Sequence, residues 1–104
     1  MFLIYFTASA INDKTPKNDE NTNFQGKVID KQTGEYLVGV VIEVGGTDIK
    51  AYSDLDGNYT INGLKDGKYT LTVNYISYRK DIRVIEVKAK ENKNINILLE
   101  PVKN

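Results

Sequence analysis

The sequence predicts an all-β domain, and three observations support this. Apolar residues recur with a period of two, turn-forming residues separate the apolar runs at short intervals, and no stretch shows the apolar stripe of a helix. The chain has 104 residues, which is enough for one domain with a single core. Short strands at regular spacing indicate a sandwich or a barrel, and the pattern alone leaves both open.

The alternation is clearest in residues 40–44, 69–75 and 95–99, where every second residue is apolar. Such a pattern places one face of a strand on the core and the other towards water. Clusters of Gly, Asn and Asp mark six turns, because these residues tolerate positive φ or bond their own backbone. Six turns predict seven strands, near residues 24–30, 38–45, 48–53, 58–61, 68–76, 80–88 and 94–100.

The composition excludes several classes of function. The chain has no Cys and no His, which removes thiol nucleophiles, imidazole bases, disulfides and zinc sites built on either residue. Lys and Arg together number 14, as do Asp and Glu, so no net field attracts nucleic acid. The locally basic segment 79–93 is interpreted as a solvated edge strand and loop. We expect no catalytic residue, no cofactor, no metal site and no nucleic-acid partner.

The N-terminal region divides into two segments ahead of the domain. Residues 1–10 combine a short apolar run with the small residues Ala8, Ser9 and Ala10, an order typical of a secretory signal peptide. No basic residue precedes the run, so it is either a signal peptide with a mis-set or trimmed start or a chance apolar terminus. The run is too short to be a transmembrane segment. Residues 11–23 are polar and predict a disordered tail. Residues 24–101 form the predicted domain.

A string of residues at turns and strand ends carries a family resemblance. The string comprises Gly26, Val28, Asp30, Thr33, Gly34, Glu35, Leu37, Gly39, Val40, Gly46, Thr47, Ser53, Asp54, Gly57, Tyr59, Gly63, Leu64, Gly67, Tyr69, Thr70, Leu71, Val73, Tyr75, Ile76 and Tyr78. Over residues 24–101 it resembles the carboxypeptidase-regulatory-like domain. It looks most like the version at the N-terminus of starch-utilisation-type TonB-dependent outer-membrane transporters. The resemblance implies a seven-stranded Greek-key β-sandwich of transthyretin (prealbumin) type, with Ig-like architecture.

The resemblance implies architecture more than activity, because most of these residues are explained by turns and core packing. We expect a non-enzymatic, exported module in the periplasm, at the outer membrane or secreted, contacting protein or glycan at the bacterial cell envelope. One alternative is a stand-alone N-terminal fragment of a TonB-dependent nutrient transporter, since a chain ending at Asn104 has no plug or barrel. Another is a structural protein that self-associates through its edge strands. The identity of the ligand and the oligomeric state stay open.

Carboxylates provide weak candidate sites. The segment from Asp54 to Asn58 has acidic residues at alternate positions, as in a calcium loop, but the sequence returns directly to a strand and favours a hairpin turn. The pairs Asp54 with Asp56 and Asp30 with Glu35 are expected in exposed turns, where nothing raises a carboxyl pKa for acid–base catalysis.

Tyrosines are better candidates for binding, because a core this small does not accommodate all of them. Tyr36 and Tyr52 are the residues that we expect to contact a ligand or partner, by stacking on a sugar or anchoring an interface. Tyr75 and Tyr78 are further candidates of the same kind, and the alternative is that most of these four tyrosines lie in the core or at a strand corner. There the Tyr78 hydroxyl would bond the backbone while its ring stays buried.

Overall fold

The computed structural model describes residues 22–88 and 91–102, which form eight strand segments. The segments are β1 (Thr22–Asp30), β2 (Val41–Val44), β3 (Lys50–Tyr52), β4 (Asn58–Leu64), β5 (Gly67–Asn74), β6 (Asp81–Val87), β7 (Asn92–Asn94) and β8 (Ile97–Leu99). The described part contains no helix long and apolar enough to cross a membrane. The predicted signal peptide, residues 1–10, lies outside the described residues, as does most of the predicted tail. Thr22 and Asn23, assigned to that tail, belong to β1.

The strands form two sheets. In sheet 1, β1 is central and pairs antiparallel with β4 and parallel with β7 and β8. Sheet 2 has the order β3-β2-β5-β6 and is antiparallel throughout. The prediction of an all-β sandwich is therefore confirmed, and the barrel is not formed.

The core lies between the inner faces of the two sheets, as the period-two pattern predicts. The ring of Phe24 in β1 packs edge-on against that of Tyr59 in β4, with 6.4 Å between centroids and 74° between planes. Every sheet-2 strand except the short β3 contributes two fully or nearly buried aliphatic side chains. The buried apolar residues are Phe24, Val28, Leu37, Val40, Ile42, Val44, Tyr59, Ile61, Leu64, Leu71, Val73, Ile85, Val87, Ile97 and Leu99.

The last predicted strand, 94–100, is divided into β7 and β8 by Ile95 and Asn96. The alternation itself was predicted correctly, since Ile97 and Leu99 are buried. The interruption arises because the chain crosses very close to β1 here. A Cβ placed on Gly26 would lie 1.9 Å from the Ile95 carbonyl oxygen. The Lys27 N–H donates to the side-chain Oδ1 of Asn96 (3.0 Å), so a side chain replaces one backbone acceptor of the ladder.

Asp30 differs from its prediction as an exposed turn residue, because only 4% of its surface is accessible. Its Oδ1 accepts the N–H groups of Gln32 (2.7 Å) and Thr33 (2.9 Å), which closes the turn after β1. Its Oδ2 accepts the hydroxyl of Tyr78 (2.6 Å). The Tyr78 hydroxyl thus bonds a carboxylate and not the expected backbone, and its ring is half-buried. The buried carboxylate is tolerated because three donors reach it.

In the described part of the chain, sheet 2 has two edge strands, β3 and β6, and the position of β6 confirms the prediction of an edge strand for the basic segment. Over the first four residues of β6, the charged side chains lie on the inward side and the apolar side chains lie on the outer face. Ile82 and Val84 are exposed on the outer face, whereas Asp81 and Arg83 share the inward side and form an ion pair of 2.9 Å. Inward-pointing charges on an edge strand discourage another strand from extending the sheet.

Gly26→Ala is expected to destabilise the fold by about 3 kcal/mol, because the new methyl group meets rigid backbone at Ile95. The measurement is the free energy of unfolding in urea. Gly34→Ala is the matched control. Gly34 has a φ of 81° but open space around its Cα, so only the backbone conformation opposes a side chain and the loss is about 1 kcal/mol. A loss at Gly26 no larger than at Gly34 would contradict the close crossing.

Tyr78→Phe is expected to lower the urea midpoint at neutral pH and to flatten its dependence on acid. The Tyr78 hydroxyl is the largest cause that holds the pKa of Asp30 below its ordinary value of 3.8. A lowered carboxyl pKa gives stability that is present above 3.8 and is lost as the pH falls through the pKa of the folded state. The variant should therefore approach the wild type in acid. Hydrogen bonding to Asp30 also raises the pKa of Tyr78 to about 12. The stability that this bond contributes should therefore be lost between about pH 10 and pH 12, and only in the wild type, because the variant has no hydroxyl at this position.

The matched control for that variant is Tyr75→Phe. The Tyr75 ring lies 5.5 Å from the Tyr78 ring, and in the described part of the chain no hydrogen bond engages the Tyr75 hydroxyl. This control should keep the acid dependence of the wild type. If the difference in urea midpoint between Tyr78→Phe and the wild type stayed the same from neutral pH to well below pH 3.8, the role of the Asp30 contact would be refuted.

Candidate functional site

The structure places both predicted contact residues on the surface but on opposite sides of the sandwich. Tyr36 is 56% exposed and forms a bridge with Ile29 on the outer face of sheet 1. Tyr52 is 60% exposed and pairs with Val41 on the outer face of sheet 2. Directly opposed residues on neighbouring strands place their side chains on the same face of the sheet, so these pairings show towards which face each tyrosine points. The structure does not bring the two rings together into one site.

The position of Tyr36 depends on the turn that precedes β4. Gly57 has a φ of 80°, and a Cβ on it would lie 2.9 Å from the Cβ of Tyr36. A glycine is required at this position both for the backbone conformation and for the approach of Tyr36. The N–H of Leu37 donates to the Val28 carbonyl (2.9 Å), which ties the loop to β1. The ring is thus held at the end of the outer face of sheet 1.

A lysine ammonium lies beside this ring. The Nζ atom of Lys27 is 4.4 Å from the centroid of the Tyr36 ring, within range of a cation–π contact. It also donates to Oδ1 of Asn58 (2.9 Å) and to the carbonyl of Asp56 (3.3 Å). All of these partners are uncharged groups. Lys27 therefore links the Tyr36 ring to a group of polar side chains at the centre of the outer face of sheet 1.

That polar centre forms a cleft of about 380 Å³ on the outer face of sheet 1, which we call the amide cleft. Register explains why its residues converge. Gln25 lies opposite both Thr60 and Asn94, and Lys27 lies opposite Asn58, so outward side chains from three strands meet. The lining residues are Gln25, Gly26, Lys27, Asn58, Tyr59, Thr60, Asn94 and Asn96. Four of the eight carry carboxamides, and none carries a carboxylate.

Two of these carboxamides have a fixed orientation. Oδ1 of Asn58 accepts from the Lys27 ammonium, and Oδ1 of Asn96 accepts from the Lys27 backbone N–H. Both contacts require the oxygen, because each partner is a donor. The NH₂ groups of Asn58 and Asn96 therefore point away from these contacts and are the ends left for a ligand. This cleft was not predicted from the sequence, although the asparagines at 92, 94 and 96 are a visible signal for it.

Tyr59 lies at the inner side of the cleft and its hydroxyl has a structural partner. The hydroxyl donates to the Ile95 carbonyl (2.6 Å), and burial raises the pKa of Tyr59 to about 12. It therefore stays protonated near neutral pH and cannot act as a general base there. The chemistry that the cleft offers is hydrogen bonding to a bound molecule.

The turn from Asp54 to Asn58 was the candidate for calcium, and the structure shows how its first carboxylate is used. Oδ1 of Asp54 accepts the N–H groups of Asp56 (2.9 Å) and Asn58 (2.8 Å), which is the side-chain bonding of a turn. Across residues 22–88 and 91–102, no three acidic side chains converge as ligands for a metal ion.

Exposed apolar side chains gather at the end of the sandwich where β1 and β5 end and β4 begins. We call this the loop end. The most exposed are Leu55 in the turn before β4 (88%) and Ile76 in the turn after β5 (83%). Val38 and Val102 lie in the loop and terminal segment at the same end and are also exposed. Tyr36 stands at the border between the loop end and the amide cleft.

Comparison with known proteins agrees with the fold. No curated protein matches the chain. The minor pilin GBS52 of Streptococcus agalactiae matches with a TM-score of 0.62 at 19% identity, over 82% of this chain and 45% of the pilin. A putative carbohydrate binding protein from Bacteroides uniformis matches with a TM-score of 0.56 at 22% identity, over 77% of this chain and 41% of that protein. This chain spans less than half of either protein.

An enzyme is also among the structural matches. The 5-hydroxyisourate hydrolase of Klebsiella pneumoniae matches with a TM-score of 0.61 at 14% identity, over 78% of this chain and 92% of the enzyme. Identities this low show a shared β-sandwich and nothing about activity.

The sequence comparison is more specific than the structural one. The CarboxypepD_reg-like domain family matches residues 24–104, which include every described strand except the first two residues of β1. The match agrees with the string of turn and core residues in the sequence and with the two-sheet architecture. The chain therefore belongs to the CarboxypepD_reg-like domain family.

Proposed function

We propose that this chain is a non-enzymatic, exported binding module of the bacterial cell envelope and that it binds a glycan through the amide cleft. The observation that carries the proposal is the convergence of four carboxamides, a lysine and an exposed tyrosine on one face of sheet 1. Carboxamides hydrogen-bond hydroxyl groups, and an exposed aromatic ring packs against the C–H face of a sugar. The putative carbohydrate binding protein from Bacteroides uniformis contains a domain of the same fold, which is compatible with this proposal.

The proposed module is non-enzymatic because the three described groups whose pKa values are shifted, Asp30, Tyr59 and Tyr78, have structural roles. Asp30 and Tyr78 bond each other at a strand corner, and Tyr59 bonds backbone. Each of the three groups is engaged in a contact that stabilises the fold. A rigid cleft that only donates and accepts hydrogen bonds suits binding.

Tyr36→Ala is expected to weaken polysaccharide binding at least about tenfold, because it removes the only aromatic platform that contacts Lys27 in the described part of the chain. Binding is measured by affinity electrophoresis against a panel of neutral and acidic polysaccharides and then by calorimetry. Tyr52→Ala is the matched control, since it removes a similarly exposed ring from the opposite face. Equal losses in both variants, or no binding to any polysaccharide, would count against the amide cleft as a glycan site.

Export is tested separately by cell fractionation and by mass spectrometry of the mature N-terminus. We expect the chain to begin at Ile11 and to reside in the periplasm or envelope, because residues 8–10 have the small side chains of a cleavage site. A cytosolic protein that retains Met1 would contradict export. A neighbouring reading frame for a plug and barrel would instead favour the transporter-fragment alternative.

A further inference from the structure

We infer that the ligand of the amide cleft is an acidic glycan whose uronate carboxylate binds at the Lys27 ammonium. This inference rests on the proposed glycan-binding function and narrows it to one class of sugar. Three properties of the cleft support it: a lysine charge without an acidic partner, an excess of hydrogen-bond donors, and a tyrosine ring next to the charge.

The charge of Lys27 has no acidic partner in the described part of the chain. The ion pairs there join Lys50 to Glu43 and Arg83 to Asp81. Lys27 instead contacts the amide oxygen of Asn58, a backbone carbonyl and an aromatic ring. These groups hold the ammonium in one position without neutralising it. A carboxylate that entered the cleft would therefore find a positioned cation, and charge-assisted hydrogen bonds are stronger than neutral ones.

The cleft also presents donors in preference to acceptors. The contacts with Lys27 occupy the side-chain oxygens of Asn58 and Asn96, so their NH₂ groups are the ends available to a ligand. No Asp or Glu lines the cleft. An ionised carboxylate accepts hydrogen bonds and donates none, whereas a sugar hydroxyl can do both. A donor-rich lining with a cation is thus better matched to a carboxylate than to hydroxyl groups alone.

The position of Tyr36 extends this argument from a carboxylate to a sugar acid. Its exposed ring lies 4.4 Å from the Lys27 ammonium. A hexuronate carries its carboxylate directly on a pyranose ring that also has an apolar C–H face. Such a residue can place its ring against Tyr36 and its carboxylate at Lys27 at the same time. A neutral hexose would use Tyr36 but leave the lysine charge unmatched.

The experiment compares acidic polysaccharides with their neutral counterparts. Polygalacturonate, alginate and hyaluronan are each tested by calorimetry against the same polymer after its carboxyl groups are reduced to alcohols. We expect at least one of the acidic polymers to bind, and its reduced form to bind at least about tenfold more weakly. The affinity should also fall with added salt, because the contact is between opposite charges.

Two variants place the effect at Lys27. Lys27→Met keeps a long apolar side chain but removes the charge, and it should reduce the affinity to that of the reduced polymer. Asn58→Asp keeps the oxygen that accepts from Lys27 but neutralises the lysine and removes one NH₂ donor, so it should abolish acidic binding while the fold is retained. Lys65→Met is the control, since it makes the same change of charge at an exposed residue outside the cleft.

The outcomes separate this inference from the function on which it rests. If the reduced polymers or neutral glycans bind as well as the acidic ones, and Tyr36→Ala still weakens them, the cleft binds glycans but the inference about uronates is wrong. If no polysaccharide binds, both fail. If dextran sulfate binds as tightly as the uronates and Lys65→Met weakens binding as much as Lys27→Met, the attraction is general charge and the uronate site is again refuted.

Discussion

The close crossing of residues 95 and 96 over Gly26 is the constraint on which the rest of the structure depends. β1 is the central strand of sheet 1, and three other strands pair with it. At its middle, the missing side chain of Gly26 admits the Ile95 carbonyl. That carbonyl accepts the Tyr59 hydroxyl, while the N–H of Ile95 donates to the backbone carbonyl of Gln25 (2.7 Å). One glycine thus fixes where β4, β7 and β8 meet β1.

The same crossing produces the amide cleft. Because Ile95 and Asn96 interrupt the ladder, Asn96 turns its side-chain oxygen towards the backbone of Lys27 and leaves its NH₂ group at the surface. Gly26 and Tyr59 line the cleft beside this break. The break between β7 and β8 therefore both follows from the close packing at Gly26 and gives rise to the amide cleft.

Local patterns in the sequence predicted the strands well because burial alternates with a period of two, and Leu71, Val73, Ile97 and Leu99 are buried as that pattern requires. The features that the sequence did not reveal depend on partners distant along the chain. Asp30 reads as a turn residue, and only the hydroxyl of Tyr78, 48 residues later, shows that its carboxylate is buried and bonded. The break at Ile95 likewise depends on Gly26, which no pattern near residue 95 indicates.

The candidate site shows the same limit. The exposure of Tyr36 and Tyr52 was a sound expectation, but their separation onto opposite faces depends on pairings with Ile29 and Val41. Gln25, Asn58 and Asn94 appear in the sequence as ordinary outward-facing polar residues. Only strand register shows that they converge on one cleft.

The two outer faces of the sandwich are suited to different tasks. On sheet 2, Ile82 and Val84 are exposed beside an edge whose inward ion pair between Asp81 and Arg83 opposes the addition of another strand. On sheet 1, the outward atoms are held by paired strands and by hydrogen bonds to Lys27, so their positions are set before any ligand arrives. Preorganised donors lose little conformational entropy on binding. A binding role therefore fits the face of sheet 1 better than that of sheet 2, where Ile82 and Val84 offer only apolar contact area and the charges of Lys50 and Glu43 neutralise each other.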